Sequence, residues 1–550
     1  MTGLDPRPPV ALDAVVVGAG FAGLYALHRL RELGFSARLF EKGDGVGGTW
    51  YWNRYPGARC DLESFEYQYS FSEELARAWT WTERYPTQPE ILRYANFVAD
   101  RLDLRPDIQL ETSIVSAVFD EDRARWTVVS DRGDVVSAKF CILATGSLSA
   151  SVVPDFNGLE AFEGRWHHTG RWPHEGVDFR GQRVAVIGTG SSGVQAVPVI
   201  AEQASELFVF QRTPAYSMPA GNRPLQRQAV DAYKEQFVEI KRQARATWGG
   251  AVIQLAGPSA LAVPAGELEA ELETRWHLGG FHLIQSYGDV GRDHAANDLV
   301  AEFVRRKIRA AVKDPEVAEV LTPRDYPFGA KRPCLDSGYY EAFNQPHVRL
   351  IDVRTAPIEA ITRQGVKAGG REYAVDIIVF ATGYDAMTGS MLAFDITGRQ
   401  GLSLRRKWAA GPLTYLGLTV AGFPNLFIIT GPGSPSVTAN MIIGAELQTD
   451  WIMACLGHMR EHGWDSIEPQ PDAESAWVEH VNATAKRTVF YGVASWYMGA
   501  NIPGKPRVFM PYLGGLNRYT DHCNAIAANG YEGFVLARAG AAAGTDEAAT

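Results

Sequence analysis

The stretch AVVVGAGFAGLYALHRLREL, residues 14–33, decides the fold of this chain. Three valines lead into a turn that contains Gly18, Gly20 and Gly23, and apolar residues then recur at helical spacing. This order of strand, glycine turn and helix opens a βαβ unit, in which small residues let backbone N–H groups meet a pyrophosphate at the start of a helix. The G-x-G-x-x-G pattern is weak by itself, because glycine turns are common.

The residue that ends the next predicted strand strengthens the case for a dinucleotide. Glu41 lies in ARLFEKGDGVGG, residues 37–48. An acid about 20 residues beyond the glycines is placed to accept hydrogen bonds from a ribose diol, and it would repel a 2′-phosphate. We therefore predict that this half of the chain binds the adenosine of FAD. The alternative is that Glu41 is a solvated residue at a strand end.

A second copy of the unit is RVAVIGTGSSGVQAVPVIAE, residues 183–202. Its next strand, LFVFQRTP, carries an arginine where the first copy has an acid. Because an arginine fork pairs with a phosphate, this copy should prefer NADPH, although a surface arginine at a strand end is the alternative. The predicted contacts lie in the turn, at the helix start and at the strand end: Gly188, Gly190, Ser191, Ser192, Gly193, Arg212 and Thr213.

The order of these segments predicts an α/β fold with two Rossmann-like dinucleotide-binding domains and a helical insertion. FCILATGSL and DIIVFATGYD match each other and are expected to be the strands that lead out of the two domains. The FAD domain should comprise residues 1–150 and 391–550, the latter ending in a flexible, low-complexity tail. The NADPH domain should comprise residues 151–220 and 331–390, and the amphipathic segments of residues 221–330 should form the insertion.

The composition excludes several classes of function. The net charge is −10 and no basic run is present, so nucleic acid is not an expected partner. The start of the chain lacks the pattern of a signal peptide, and no stretch is apolar enough for a membrane span. Five scattered cysteines without a C-x-x-C pair suggest reduced thiols in a cytoplasmic protein, and no metal site is expected. The oligomeric state stays open, with a monomer as one option.

The segment GGTWYWNRYPGARCD, residues 47–61, combines paired glycines, aromatic residues and a terminal acid. It fits neither a helix nor a plain strand. We interpret it as a long loop that wraps a planar ligand, the flavin ring, with Gly48, Trp50 and Asp61 as contacts. An aromatic-rich structural loop is the alternative.

The segment FEGRWHHTGRWP, residues 162–173, gives the most specific signal in the chain. It matches the pattern F-x-G-x-x-x-H-x-x-x-W-P, and it lies between the two glycine units. Through this pattern the chain resembles the type I Baeyer–Villiger monooxygenases, which are class B flavoprotein monooxygenases, and within them the phenylacetone, steroid and cyclohexanone enzymes. The five matching residues are Phe162, Gly164, His168, Trp172 and Pro173.

The resemblance extends from Ala14 to about Gly533 and includes AKRPCLDSGYY, SWYMGANIPGK and GPGSPSVTANM. It implies an enzyme that uses FAD, NADPH and O2 to convert ketones to esters or lactones through a C4a-peroxyflavin.

The resemblance also implies a role for individual residues. Arg332 would be the cation beside the peroxide, and Asp61 would position it. Lys331 and Arg212 would contact the 2′-phosphate with help from Thr213. Trp496 would order over NADPH, and His168 would serve the movement of the linker between the domains.

Three other functions are alternatives to this one. A flavin disulfide reductase needs a redox cysteine pair, which the sequence lacks. A flavin N- or S-monooxygenase would use the same oxidant but has no need for an arginine beside it. A non-catalytic NADPH sensor would consume no NADPH in response to a ketone.

Overall fold

The structure, a computed structural model, describes residues 10–538; most of the predicted flexible tail lies outside the described residues. The strands are β1 (Val10–Val17), β2 (Ala37–Phe40), β3 (Ile108–Gln109), β4 (Ile114–Asp120), β5 (Arg125–Ser130), β6 (Val135–Leu143), β7 (Arg165–His168), β8 (Arg183–Ile187), β9 (Glu206–Gln211), β10 (Ser217–Pro219), β11 (Cys334–Asp336), β12 (Val348–Asp352), β13 (Ile358–Ile361), β14 (Gly365–Ala368), β15 (Arg371–Ala374), β16 (Ile377–Phe380), β17 (Asp395–Thr397), β18 (Leu426–Ile428), β19 (Ser466–Pro469) and β20 (Phe534–Ala537). The helices are α1 (Phe21–Glu32), α2 (Thr49–Trp52), α3 (Glu73–Ala78), α4 (Gln88–Arg101), α5 (Ser191–Ala201), α6 (Arg227–Glu235), α7 (Phe237–Arg245), α8 (Ala265–Leu278), α9 (His294–Ala311), α10 (Pro315–Leu321), α11 (Tyr339–Ala342), α12 (Leu404–Lys407), α13 (Met441–His462), α14 (Pro471–Ala485) and α15 (Leu516–Ala528).

The first glycine unit lies in an eight-stranded sheet of order β17-β4-β5-β6-β1-β2-β3, with β18 also paired to β6. Strand β1 runs parallel to β2 and β6, and its residues Ala14, Val15 and Val16 are fully buried, as expected for a parallel strand covered on both faces. Strands β4, β5 and β6 form an antiparallel meander. Because β18 pairs with β6, the chain returns to this sheet after it has built the second one.

The second glycine unit lies in a five-stranded, all-parallel sheet of order β12-β9-β8-β16-β7. A three-stranded antiparallel meander, β13 to β15, accompanies it. Parallel strands thus surround each glycine turn, and a meander lies within the first sheet and forms a separate sheet beside the second. The predicted α/β class with two Rossmann-like sheets is confirmed.

Helices α6 to α10 follow the second glycine unit, where the amphipathic spacing predicted helices. In α9 the buried residues Val300, Val304 and Ile308 recur at helical spacing. They share one hydrophobic core with the second sheet. Strand β11 then pairs with β10, which brings the chain back beside that sheet immediately after Lys331 and Arg332. Within residues 10–538, no helix is both long enough and apolar enough to cross a membrane.

Candidate functional site

The first glycine turn is packed so closely at Gly18 and Gly23 that neither position admits a side chain. Gly18 has φ +105°, and a Cβ atom on Gly23 would lie 1.9 Å from the Gly18 carbonyl oxygen. A Cβ atom on Gly48 would lie 2.7 Å from the Cα atom of Gly20. No side chain caps the N-terminus of α1, so none competes for the N–H groups of its first turn. The turn thus fits the pyrophosphate of a dinucleotide.

The second glycine turn repeats this geometry. A Cβ atom on Gly193 would lie 2.2 Å from the Gly188 carbonyl oxygen, and one on Gly188 would lie 2.4 Å from the Ala381 carbonyl oxygen. Gly190 faces open space, and α5 also begins without a side-chain cap. This turn fits a second dinucleotide. The first residues of α5 are the two predicted serines, Ser191 and Ser192.

Glu41 is not a solvated residue at a strand end. Its side chain is buried, its Oε2 accepts a hydrogen bond from Ala19 N at 2.8 Å, and its Oε1 accepts one from Gly43 N at 2.9 Å. The carboxylate therefore joins the first glycine turn to the end of β2. Since an ionised carboxylate offers about four acceptor positions, it retains capacity for a ribose diol.

The segment of residues 47–61 contains one element that the sequence interpretation excluded. Residues Thr49–Trp52 form a single helical turn, and Gly48, which directly precedes it, takes φ +55°. Trp50 is buried, and its Nε1 donates to the Tyr67 hydroxyl at 2.9 Å. Its indole packs in an aromatic core and anchors the segment.

Arg332 and Asp61 form a two-point ion pair although they lie 271 residues apart in sequence. Arg332 Nε donates to Asp61 Oδ2 at 2.6 Å, and Arg332 Nη2 donates to Asp61 Oδ1 at 2.8 Å. Nη1 donates to the Val437 carbonyl oxygen at 2.8 Å. The arginine side chain keeps 26% of its surface exposed. The guanidinium is thus fixed in orientation while one part of it stays accessible.

The surroundings of Arg332 keep it charged. Burial by itself would lower its pKa, but the Asp61 carboxylate raises the pKa above the ordinary value for arginine. The guanidinium carbon also lies 5.1 Å from the centre of the Phe281 ring. Burial raises the pKa of the nearby Tyr497 phenol, with Arg332 opposing that rise. The site therefore presents a permanent cation beside a neutral phenol.

Arg212 and Lys331 form a pair of neighbouring like charges. Burial lowers the pKa of Lys331, and the positive charge of Arg212 lowers it further. The Lys331 ammonium lies 4.7 Å from the centre of the Tyr326 ring. The Arg212 side chain is exposed and has no ion pair or hydrogen bond with any residue from 10 to 538. Thr213 follows Arg212, and its carbonyl oxygen accepts a hydrogen bond from Thr189 Oγ1 at 3.0 Å. Two neighbouring cations suit a phosphate group.

The segment of residues 162–173, here called the fingerprint segment, contains β7, the edge strand of the second sheet, and β7 pairs with β16. His168 is 1% exposed and its Nδ1 accepts a hydrogen bond from Gly170 N at 2.9 Å. Burial, followed by the charge of Arg171, lowers the pKa of His168 to about 4, so the ring is neutral at pH 7. Its ring lies edge-on to that of Tyr384, with centroids 6.1 Å apart.

The other fingerprint residues pack around this strand. A Cβ atom on Gly164 would lie 2.4 Å from the Asp376 carbonyl oxygen and 2.5 Å from the Phe162 ring, so only glycine fits there. Trp172 is buried in the core of the second sheet, and Pro173 next to it is half-buried.

Trp496 lies in a short 3-10 turn, half-buried, with its ring centre 4.3 Å from that of Tyr497. Tyr497 is the phenol beside Arg332. The predicted NADPH contact and the cation site are therefore joined through one pair of aromatic rings.

Gln195 and Tyr384, beside the second sheet, make three hydrogen bonds to the segment of residues 47–61 that were not found from the sequence. Gln195 of α5 accepts a hydrogen bond from the Tyr55 hydroxyl at 2.7 Å and donates one to the Arg59 carbonyl oxygen at 3.1 Å. The Tyr384 hydroxyl donates to Asn53 Oδ1. A glutamine inside a helix carries no recognisable pattern; Tyr384, which follows the Ala-Thr-Gly of β16, carries a weak one.

Comparison with known proteins places this geometry in a family. A family model described as pyridine nucleotide-disulphide oxidoreductase matches residues 15–247. All five cysteines are free and buried in the structure. An acetone monooxygenase (methyl acetate-forming) of Gordonia sp. (strain TY-5) is 43% identical over 528 residues, which cover 96% of this chain and 99% of the relative. A Baeyer–Villiger monooxygenase of Pseudooceanicola batsensis is 42% identical over 531 residues and 96% of each chain.

The chain belongs to the Baeyer–Villiger monooxygenases. Solved structures agree with this assignment. A steroid monooxygenase bound to NADP is 50% identical, with a TM-score of 0.92 over 96% of this chain and all of that chain. The OTEMO complex with FAD and NADP is 39% identical, with a TM-score of 0.93 over the same shares. This Baeyer–Villiger monooxygenase is accordingly a flavoprotein that depends on FAD and NADPH. A phenazine N-monooxygenase of Lysobacter antibioticus is also similar, at 42% identity over 95% of this chain and 97% of its own.

Proposed function

We propose that this monooxygenase converts ketones to esters or lactones, with Arg332 as the catalytic cation and Asp61 as the residue that aims it. The observation that carries the proposal is the two-point ion pair between them, together with the third bond from Arg332 to the Val437 carbonyl oxygen. Bound FAD, once reduced by NADPH, supplies the activation of O2. Arg332 supplies a fixed positive charge where negative charge grows on oxygen during attack on a carbonyl.

Arg332 acts by charge and orientation and does not transfer a proton. Asp61 holds its pKa above the ordinary range, so the guanidinium remains charged throughout turnover. The planar group bonds Asp61 on one edge, which leaves its direction fixed before substrate arrives. A cation held in this way requires no rearrangement during the reaction.

We propose that Gly18, Gly20, Gly23, Glu41 and Gly48 hold FAD, and that the second glycine turn holds NADPH with Ser191 and Ser192. Arg212 and Lys331, with Thr213, would bind the 2′-phosphate, which the absence of a carboxylate partner for Arg212 among residues 10–538 supports. Trp496 would cover the nucleotide. The corresponding domains would be residues 1–150 with 391–550 for FAD, and 151–220 with 331–390 for NADPH.

N-oxygenation is the second candidate, and the phenazine N-monooxygenase relative is the observation in its favour. Attack on nitrogen uses a protonated oxidant and gains nothing from a fixed cation beside it. The aimed guanidinium of Arg332 therefore favours ketones.

The five unpaired thiols are consistent with a cytoplasmic location, which cell fractionation would test.

A substrate panel with product analysis tests the proposal. Acyclic, cyclic and aryl ketones would be offered beside phenazines and tertiary amines, with NADPH consumption and product mass measured for each. We expect ketone-dependent formation of esters or lactones. Formation of N-oxides alone would replace the proposal with the second candidate.

A further inference from the structure

The loop of residues 431–441, here called the Val437 loop, accepts the third hydrogen bond of Arg332. Asp61 binds one edge of the guanidinium, and the Val437 carbonyl oxygen accepts from Nη1 at 2.8 Å. A carbonyl is part of the backbone, so its position depends on what holds the loop. A movement of this loop would therefore weaken that bond and leave the guanidinium held by Asp61 on one edge alone.

The Val437 loop does not hold its shape through local preference. Ser436, immediately before Val437, has φ +42°, and Thr430, just before the loop, has φ +60°. Such left-handed conformations cost non-glycine residues about 1–2 kcal/mol each. The loop consequently needs bonds to other segments to stay in place.

Asn440 makes several of those bonds, in addition to the ones that join Gly433 to Met510 and Ser434 to Tyr512. Its side chain is 1% exposed. Its backbone N donates to the Gly249 carbonyl oxygen at 2.8 Å, and its Nδ2 donates to the carbonyl oxygens of Glu66 at 3.0 Å and Gly250 at 3.2 Å. Asn440 is also the N-cap of α13, since its Oδ1 accepts from Ile442 N at 3.1 Å and from the amide that follows. One residue thus ties the loop to two distant segments and starts a helix.

The segments that Asn440 binds are themselves fixed. Lys241 is buried, and its Nζ donates to the carbonyl oxygens of Phe65 at 2.8 Å and Glu66 at 3.2 Å. Arg245 forms an ion pair at 3.1 Å with Glu446, which is fully buried in α13. Helix α7 of the insertion is therefore anchored both to the segment around Glu66 and to α13. Asn440 bonds to the Glu66 carbonyl oxygen and caps α13, so it contacts the same two segments.

We infer that Asn440 is a positioning residue for the oxygenation step, acting on Arg332 through the Val437 carbonyl oxygen. The inference rests on the proposed role of Arg332. It assigns to Asn440 no contact with substrate or cofactor. Its amide donors keep the Val437 loop against the insertion, and the loop in turn keeps Arg332 aimed.

Two substitutions separate the Nδ2 hydrogen bonds of Asn440 from its role as the N-cap of α13. Asn440→Asp and Asn440→Ser both retain an oxygen that can cap α13, because Asp, Asn and Ser are nearly equal as N-caps. Both remove the Nδ2 donors. The serine variant adds no buried charge, so it serves if the aspartate variant fails to fold. Asn425→Asp is the matched control, since Asn425 is also 1% exposed and its Nδ2 donates to the Asp465 carbonyl oxygen at 2.8 Å, immediately before β18.

The FAD-loaded variants would be compared in three measurements: amide hydrogen exchange, the rate of flavin reduction by NADPH, and the ratio of ester to H2O2 formed. We expect exchange in residues 434–440 to accelerate by about tenfold or more, while Ile442 and Ile443 stay protected by the cap. Flavin reduction and the KM for NADPH should be unchanged. The ester fraction should fall by roughly tenfold, since small misplacements of a catalytic group have effects up to about 100-fold. The Asn425 control should keep the parental ratio.

Two outcomes would overturn the inference. One is parental ester yield in the Asn440 variants despite faster exchange in the loop. The other, which needs no variant, is exchange of the Asn440 amide of the parent enzyme at the rate of an unprotected amide. Either failure would be distinct from failure of the proposed function, because Arg332→Ala would still abolish ester formation.

Discussion

Arg212→Ala should weaken NADP+ binding selectively. In the structure Arg212 is exposed and has no carboxylate partner among residues 10–538, so its removal leaves no buried acid unpaired. Lys331 beside it has its pKa lowered by burial and by Arg212. Removing Arg212 should therefore let the pKa of Lys331 rise, which preserves one cation at the site.

The expected magnitude follows from a single charge-assisted hydrogen bond to a phosphate. Such a bond contributes about 1.5–3 kcal/mol, or roughly 10- to 150-fold in affinity. Because Arg212 is exposed, solvent screening favours the lower end of that range, about 10- to 30-fold. The loss should shrink as ionic strength rises. Affinity for NAD+, which lacks the 2′-phosphate, should change by less than about twofold.

Titration of the enzyme with NADP+ and NAD+ at two salt concentrations provides the assay. Arg349→Ala is a suitable control, since Arg349 lies on β12 beside β9, is similarly exposed, and is paired with Glu206 at 3.4 Å. It should leave both affinities unchanged. Equal losses for both nucleotides in Arg212→Ala would refute the assignment of Arg212 to the 2′-phosphate.

Three further predictions concern the linker, acid stability and the first glycine turn. His168→Ala should fold and bind FAD in full stoichiometry but turn over more slowly, because the domains no longer move in concert; parental steady-state rates would return His168 to a structural role. Because the pKa of His168 is lowered to about 4 from 6.5, protonation opposes folding, and stability should be lost as the pH falls from about 6.5 to about 4. The free energy of unfolding in urea should fall with pH by up to about 3 kcal/mol less in His168→Gln than in the parent. The same dependence of that free energy on pH in both proteins would contradict the reasoning. Glu41→Gln leaves one acceptor oxygen for the N–H groups of Ala19 and Gly43, so it should lower the free energy of unfolding by about 1–3 kcal/mol and weaken FAD binding. The melting temperature and the rate of FAD release measure these two effects. Parental values of both would show that the carboxylate is dispensable.

Local patterns predicted the fold because they have local physical causes. The glycines of both turns are required by contacts within the unit itself, such as that between Gly23 and Gly18. The change from valine runs to apolar residues at helical spacing likewise indicates where a buried strand ends and a helix with one buried face begins. These features can be recognised from the sequence without knowledge of the tertiary structure.

The site was only partly predictable, because its bonds join distant segments. No sequence pattern shows that the Glu41 carboxylate accepts hydrogen bonds from the N–H groups of Ala19 and Gly43, or that Trp50 is buried and donates to Tyr67. The roles of Arg332 and Asp61 came from the resemblance, since nothing local pairs residues so far apart. The Val437 carbonyl was invisible for a further reason: a backbone atom contributes to a site without any choice of residue type.

The central claim is that Arg332, aimed by Asp61, is needed for oxygen insertion and not for flavin reduction. Stopped-flow reduction by NADPH, combined with assays of ester and H2O2, tests it in one set of variants. Arg332→Ala should be reduced at the parental rate but form at least about 100-fold less ester, with H2O2 released instead, as for the loss of other preorganised charges. Arg332→Lys should rescue poorly, because an ammonium cannot reproduce the two-point bond to Asp61, and Asp61→Ala should show a milder form of the same uncoupling. Ester formation by Arg332→Ala at near the parental rate would contradict the account.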